Sequence, residues 1–439
     1  MVNIRYSFRL TKAFLSRFKG LIVLGALFGV IIFFAMRFLV PSFLERSILR
    51  IGVTGRYRVE NLPRFIANDI GSGLTKINEK GEVEPDLADS WETPDSGKTW
   101  IFHLKDGVTW HDGGPFLASE INIDLANLTT ESPDDNTIVF SLQNPFSPFP
   151  SVVSTPIFKK GLLGTGEWKV TKASLANTFF YQMVLSNGKN KKIIKFYPTE
   201  ERTKLAYKLG EIDSIYELYN ANPFDEWKTA NVETITNKSH IVTIFFNTKD
   251  PILSDKSIRQ ALVYGLDKHQ FTGERAISPI SPDSIYYNPQ VKKYLFNTKR
   301  AKTLINDLPK ELRDQLQVKL ATTPILLPIA EKIAENWKAV GVDTLVQVTS
   351  VTPDDFQAYL AIFEVPEDAD QYSIWHSTQA SNNISNFENP RIDKLLEDGR
   401  TDLDFEDRKK TYLDFQRFLV EELPAVFLYH PETYMVTRK

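Results

Sequence analysis

Bond-breaking chemistry needs a nucleophile beside a base, a metal cluster or a phosphate cradle, and no such spacing occurs in this chain. Cysteine is absent, which removes thiolate nucleophiles, thiolate metal sites and disulfides together. The six histidines are scattered, and there is no HExxH, GxSxG or GxxxxGK run. His111 beside Asp112 has the right types for a metal or a proton relay, but with no second ligand nearby it reads as a turn. Gly161 to Gly166 lacks the Lys-Ser/Thr that completes a phosphate loop and also reads as a turn. Lys189 to Lys192 reads as a solvated hairpin tip. Binding chemistry gathers elsewhere. Glu364, Glu367, Asp368 and Asp370 crowd one segment, with Trp375, Asn382 and Asn383 close behind. In a poorly hydrated cleft such a carboxylate can hold an ammonium by charge-assisted hydrogen bonds. On open surface the same run is only a solvated loop. Neither a catalytic set nor a metal or cofactor is expected.

The elements that must position these residues follow an α/β rhythm. Trp100, Phe102 and Leu104 alternate with Ile101 and His103, as in a strand with two distinct faces. Turns fall at Glu79-Lys80-Gly81, Asp95-Ser96-Gly97-Lys98 and Asp106-Gly107. Ile193 to Tyr197 is strand-like, Glu200 to Leu209 helical, and Gly210 stops that helix. Ile241 to Phe246 is an apolar run suited to a strand buried on both faces, and Ser257 to Tyr264 is helical. Val318 to Ala321 predicts a strand. Ile325 to Val340 predicts an amphipathic helix with Leu326, Ile329, Ile333, Trp337 and Val340 as its buried stripe. A last helix, about Phe405 to Leu423, leads through Pro424 into the strand Ala425 to Tyr429. With 439 residues, 42% hydrophobic and 12% aromatic, two or three lobes with sizeable cores are expected. A net charge of −3 gives no reason to expect nucleic acid as a partner.

The N-terminus differs from the rest. Met1 to Gly20 carries Arg5, Arg9, Lys12, Arg17 and Lys19 without an acid, and an apolar stretch follows from Leu21 to Val40, interrupted by Arg37. Roughly 20 such residues suffice to cross a bilayer as a helix. Bulky residues at Ala35-Met36-Arg37-Phe38 disfavour a cleaved signal peptide. The expectation is a cytoplasmic basic segment over 1–20, a transmembrane anchor over 21–40 and a linker over 41–47, with all later residues outside the cytoplasm.

From Val83 to Gly113 the sequence becomes distinctive. Pro85-Asp86-Leu87-Ala88-Asp89-Ser90-Trp91, then Phe102-His103-Leu104-Lys105-Asp106-Gly107-Val108, then Trp110-His111-Asp112-Gly113 closely resemble the dipeptide/oligopeptide-binding family (family 5) of bacterial extracellular solute-binding proteins of ABC transporters. The resemblance continues at Gly164-Thr165-Gly166-Glu167-Trp168, Gly210-Glu211-Ile212-Asp213, Phe246-Asn247-Thr248 and Asp255 to Leu262. Asn386 to Leu396 and Phe415 to Tyr429 extend it to the end of the chain. One departure stands out: between Glu120 and Thr137 the longer helical excursion usual in the family is nearly absent.

The resemblance implies a two-lobed periplasmic-binding-protein-like fold of type II with an extra small subdomain. Lobe I would span 48–246, including a reduced subdomain at about 74–160. Lobe II would span 247–423, and 424–439 would return to lobe I. It further implies capture of peptides or similar small solutes in the inter-lobe cleft by hinge closure. Delivery to an ABC permease with separate ATPase subunits would follow, by a protein expected to be monomeric. The segment Asp368-Ala369-Asp370-Gln371-Tyr372 resembles the family stretch whose aspartate meets the ligand's α-amine, which makes Asp368 the first and Asp370 the second candidate. Trp375 would form a pocket wall or a core ring. Asn247 would bond a ligand backbone or cap a strand end, and Asn383 joins the candidate set. Two rival functions remain: a ligand sensor or chaperone-like protein without transport, and an extracytoplasmic peptide hydrolase, which the missing catalytic constellation disfavours.

Overall fold

The computed structural model describes residues 4–44, 47–123, 125–314, 316–351, 353 and 355–439; in the first helix it describes the side chains of residues 12–21 and 23–34. Two large sheets organise the chain. The first has seven strands in the order Ala230–Thr236, Glu432–Arg438, Ser214–Leu218, Ile48–Thr54, Lys191–Tyr197, Phe179–Ser186, Lys169–Ala176. Its central strand, Ile48–Thr54, runs parallel to both neighbours. The second has six strands in the order Glu274–Arg275, Ala425–His430, His240–Phe246, Ala358–Glu364, Gln317–Thr322, Asp343–Val348. A separate four-stranded antiparallel sheet has the order Ala88–Glu92, Thr99–Leu104, Thr137–Ser141, Thr129–Asp134.

The predicted alternation holds in that small sheet. Trp100, Phe102 and Leu104 point into a core with Phe140 and Phe149, while His103 is exposed. Helices begin where the chain supplies a cap: Thr199, Asp255, Asn297, Asn389 and Asp404 each accept a first-turn amide. The helix predicted over 325–340 spans Leu327–Ala339, and Leu326, Ile333, Trp337 and Val340 are buried as expected. Ile329 is partly buried against the same core. The shift at its start follows from Pro324 and Pro328, which suit a first turn and not the interior of a helix.

The passages between lobes lie elsewhere than predicted. Ala230–Thr236 belongs to the first sheet and His240–Phe246 to the second, so the chain crosses at 237–239 and not at Asn247. Likewise Ala425–His430 is in the second sheet and Glu432–Arg438 in the first, so the return is at Pro431 and not at Pro424. A strand buried on both faces reads the same in either sheet, and hydropathy alone cannot say which one owns it. The breaks in ladder pattern, Asn237-Lys238-Ser239 and Pro431, carry the better signal. The two passages are tied together: Asn237 N donates to Pro431 O at 2.9 Å, and the His430 ring nitrogen Nδ1 lies 2.9 Å from His240 O.

A helix over Ile4–Leu44 precedes the sheets. Among the described residues no single helix is long and apolar enough to cross a membrane. The bent pair Lys12–Leu21 and Val23–Phe34 meets that test together, by length and composition, across a 54° bend. The bend falls where the anchor over 21–40 is predicted to begin. Arg37's side chain lies outside the described residues, as do residues 45–46 of the predicted linker.

Candidate functional site

The crossing segments divide the space between the lobes. Strand residues alternate sides. Thr433 and Met435 line a cavity of about 740 Å³ on one side, while Glu432 and Tyr434 line one of about 1040 Å³ on the other. The first cavity brings charged groups of both lobes face to face. Lobe I contributes Tyr57, Arg64, Phe65, Tyr216 and Glu217, and lobe II contributes Glu364 and Glu367.

Local structure explains how these side chains are aimed. Arg64 and Phe65 open the short helix Arg64–Ile70, whose end is propped by the Gly164-Thr165-Gly166 turn. Gly166 N donates to Ile70 O at 2.9 Å, and a Cβ on Gly164 would collide with that carbonyl. Phe65 stacks on Tyr216 with ring centroids 4.0 Å apart. Glu217 sits at a register shift between Ser214–Leu218 and Glu432–Arg438, with a left-handed backbone (φ 55°). A bulge of this kind re-aims a side chain and costs a non-glycine residue on the order of 1–2 kcal/mol. Glu364 ends its strand opposite His240, the residue that begins the other crossing strand.

Charge in this cavity is unbalanced, because Lys238, the other cation in its lining, is held by Asp283 at 2.7 Å. Arg64 ion-pairs with Glu367 across the lobes. Glu217 receives only Asn237 Nδ2, at 3.1 Å, and neither Glu217 nor Glu364 has an ion-pair partner among the described residues. Burial, and then the field of Glu364, raises the Glu217 carboxyl above the usual glutamate range. Burial raises Glu367 too, against the pull of Arg64. Tyr57 is pushed up by burial and by both Glu217 and Glu364. His240 is pushed down by burial, with Glu364 opposing, and its Nδ1 is buried without a partner. Such a cavity favours a cation or a hydrogen-bond donor.

The predicted site residues are distributed differently. Asp368 faces an adjoining crevice beside Asn78, Lys80 and Lys238, and its oxygens are already engaged. Arg408 pairs with one; Ser151 Oγ donates to the other at 3.0 Å from lobe I. Asp370 is paired with Arg400 at 3.0 Å and accepts from Tyr372 N. Trp375 is a core ring, 1% exposed, stacked on Phe245 and donating to Gln371 Oε1 at 2.7 Å. Asn247 caps the far end of its strand, donating to Phe356 O at 3.1 Å. Asn383 is buried and donates to Phe387 O at 2.8 Å. Of the five, Asp368 alone borders the inter-lobe space. Glu364 and Glu367 belong to the acidic run visible in sequence, whereas Glu217 and Tyr57 carry no sequence signal. His111 behaves as a turn residue, its Nε2 lying 2.7 Å from Gly166 O. Among the described residues no three His, Asp or Glu side chains converge as metal ligands.

The model of bacterial extracellular solute-binding proteins, family 5 (middle), matches residues 82–122 and 120–383. The chain belongs to that family. It is a binding protein of extracytoplasmic type and not an enzyme. The oligopeptide-binding protein AppA of Bacillus subtilis is 24% identical over 463 residues, covering 86% of this chain and 84% of the relative. The structure of AppA in complex with a nonapeptide is similar with a TM-score of 0.71, covering 90% and 95% of the two chains. The ABC transporter substrate-binding protein CtaP of Listeria monocytogenes gives a TM-score of 0.75 at 20% identity, covering 90% and 94%. NikZ of Campylobacter jejuni in complex with Ni(L-His) gives 0.73 at 22% identity, covering 89% and 94%. Solved proteins of this shape thus include complexes with a nonapeptide and with Ni(L-His), and a shared fold does not by itself fix the ligand.

Proposed function

We propose that this chain captures a small solute bearing a cationic amine, a short peptide foremost, between its lobes and presents it to an ABC permease. The reading rests on one observation: the unneutralised Glu217 and Glu364 face each other from opposite lobes across a cavity of about 740 Å³. An ammonium placed there would satisfy both carboxylates at once and so would bind better to the closed than to the open arrangement, which is what makes closure a response to ligand. Tyr57, Tyr216 and Phe65 supply polar edges and apolar faces for the rest of the solute. Glu217 and Glu364 thus take the part first expected of Asp368, whose oxygens Arg408 and Ser151 already hold. Asp368 becomes a support for the closed edge, with the Arg64–Glu367 pair beside it.

In the same reading the N-terminal helix holds the protein at the membrane. Val23, Leu24, Leu27, Phe28, Ile31 and Phe34 are all more than half exposed, as suits a lipid-facing segment, and the stretch before them is basic. The expected outcome is that a short-peptide mixture raises the melting temperature of the protein by mass action, about 2.7 kcal/mol at a hundredfold excess over Kd. N-acetylation of the same peptides should remove most of the shift. Equal shifts with free and blocked amines would overturn the amine assignment. Intact peptides recovered by mass spectrometry after incubation are expected; cleavage products would favour the hydrolase rival. Release of the protein from membranes by alkaline carbonate would argue against the anchor.

A further inference from the structure

Lobe II holds a second, smaller cavity of about 150 Å³ that shares no residue with the inter-lobe site. Its walls are apolar: Val263, Ile277, Val420, Leu423, Val426 and Phe427 all border it. Two cations reach it. Lys268 comes from the turn Lys268–Gln270 that follows helix Lys256–Tyr264, and Arg275 from the edge strand Glu274–Arg275. Lys268 Nζ donates to Tyr294 O, and Arg275 donates to Phe427 O and Leu428 O. Both therefore rest on backbone carbonyls.

Among the described residues neither cation has a carboxylate partner, and no acidic residue lines the cavity, while His269, Lys292 and Lys293 add basic character at its edge. Glu422, at the end of helix Phe405–Glu422, is paired with Lys256 at 2.7 Å. Burial, and then Arg275, pushes the half-buried Lys268 ammonium down to about 7, while Arg275 on its edge strand is exposed to solvent. A charge held beside apolar walls without a counter-ion is costly unless something supplies the opposite sign.

We propose that this pocket binds a small carboxylate with an apolar body, its carboxylate bracketed by Lys268 and Arg275 and its body against Val420 and Phe427. The size follows from volume: a dry cavity of about 150 Å³ accommodates a benzene ring, which limits the enclosed part to benzoate or a short alkanoate. Leu295 and Phe296 at the mouth are 71% and 47% exposed, so a somewhat longer chain meets apolar surface outside instead of water. The carboxylate does two things at once there: it neutralises the pair and carries apolar surface into the cavity.

Titration calorimetry on the full-length protein with benzoate, benzamide, inorganic phosphate and the series butanoate to octanoate tests this. Benzoate is expected to bind at least tenfold more tightly than the isosteric benzamide, and affinity should rise about fourfold per methylene until the chain leaves the apolar mouth. Lys268→Met and Arg275→Met should each abolish the preference for benzoate over benzamide. Neither should change the thermal shift produced by a peptide mixture, and that control shows the variants folded. Lys268→Met is further expected to raise the melting temperature of the ligand-free protein, because a half-buried charge without a carboxylate partner is removed. Equal binding of benzoate and benzamide, phosphate binding as tightly as benzoate with no chain-length dependence, or no heat with any of them would overturn the proposal.

Discussion

The inter-lobe cavity and the lobe II pocket carry opposite unpaired charge, glutamates in one and a lysine–arginine pair in the other. The crevice bearing Asp368 shows a third arrangement: there the aspartate already has its arginine. Charge beside empty space has two different meanings. Asp368 with Arg408, and Asp370 with Arg400, form closed circuits that fix the loop after strand Ala358–Glu364 to the helices Phe405–Glu422 and Pro390–Thr401. Glu217 and Glu364 have no ion-pair partner among the described residues, at a position where both lobes can contribute. The lesson is that the presence of a carboxylate near a cleft says little. Its partner, or the lack of one, decides whether it builds the wall or meets the solute.

The largest expected effect tests the paired half of that contrast. Arg408 is buried, donates to Gly399 O at 3.0 Å and to the Tyr286 hydroxyl at 2.9 Å, and pairs with Asp368. Burial works against its charge, yet Asp368, Tyr412 and Tyr286 outweigh this and its pKa is raised. Arg408→Met leaves Asp368 largely buried without a counter-ion and should lower unfolding free energy by about 3–5 kcal/mol in denaturant titrations. Adding Asp368→Asn should recover a good part of that loss. A change below about 1 kcal/mol in the single variant would break the distinction between structural and ligand-facing acids.

A smaller effect is expected from the unpaired half. Glu217→Gln and Glu364→Gln should each weaken binding of free-amine peptides about tenfold, the worth of one charge-assisted hydrogen bond, and leave amine-blocked peptides within about twofold. Asp368→Asn should lower stability more than it lowers affinity. Were Asp368→Asn to abolish amine selectivity while Glu217→Gln did nothing, the original expectation from sequence would stand and the geometric reading would fall.

Much of the architecture was legible in advance for a physical reason. The segments between Val83 and Gly113 pair a two-faced strand with tight turns, and such local patterns survive in any tertiary setting. The site was less legible because its meaning lies in long-range partners. Nothing near Asp368, in a loop, announces Arg408, forty positions later on a helix. Trp375 has the composition of a pocket wall, but Phe245 and Gln371 enclose it. Glu217 is aimed by a bulge whose register is set by the C-terminal strand, which no local window contains. The lobe crossings were misplaced for the related reason that a fully buried strand does not reveal its sheet.

The smallest effect is one of pH and sharpens the contrast from the other side. A glutamate whose folded pKa is raised contributes stability that is complete below its ordinary value of 4.5 and is lost as pH rises through the folded value. His240, pushed below its ordinary 6.5, works in the opposite sense: its contribution is present above 6.5 and is lost as pH falls through the folded value. The net slope of the ligand-free protein therefore mixes both, and the informative quantity is a difference between variants. Glu217→Gln should be slightly more stable than the unaltered chain at pH 7, with the gap closing as pH falls towards 4.5. Saturating free-amine peptide should reverse the order at pH 7, because the carboxylate then gains the partner it lacks. Melting curves of both proteins across this range, with and without peptide, read the result directly. A glutamine variant less stable at neutral pH without ligand would mean that Glu217 already has its counter-charge within the fold.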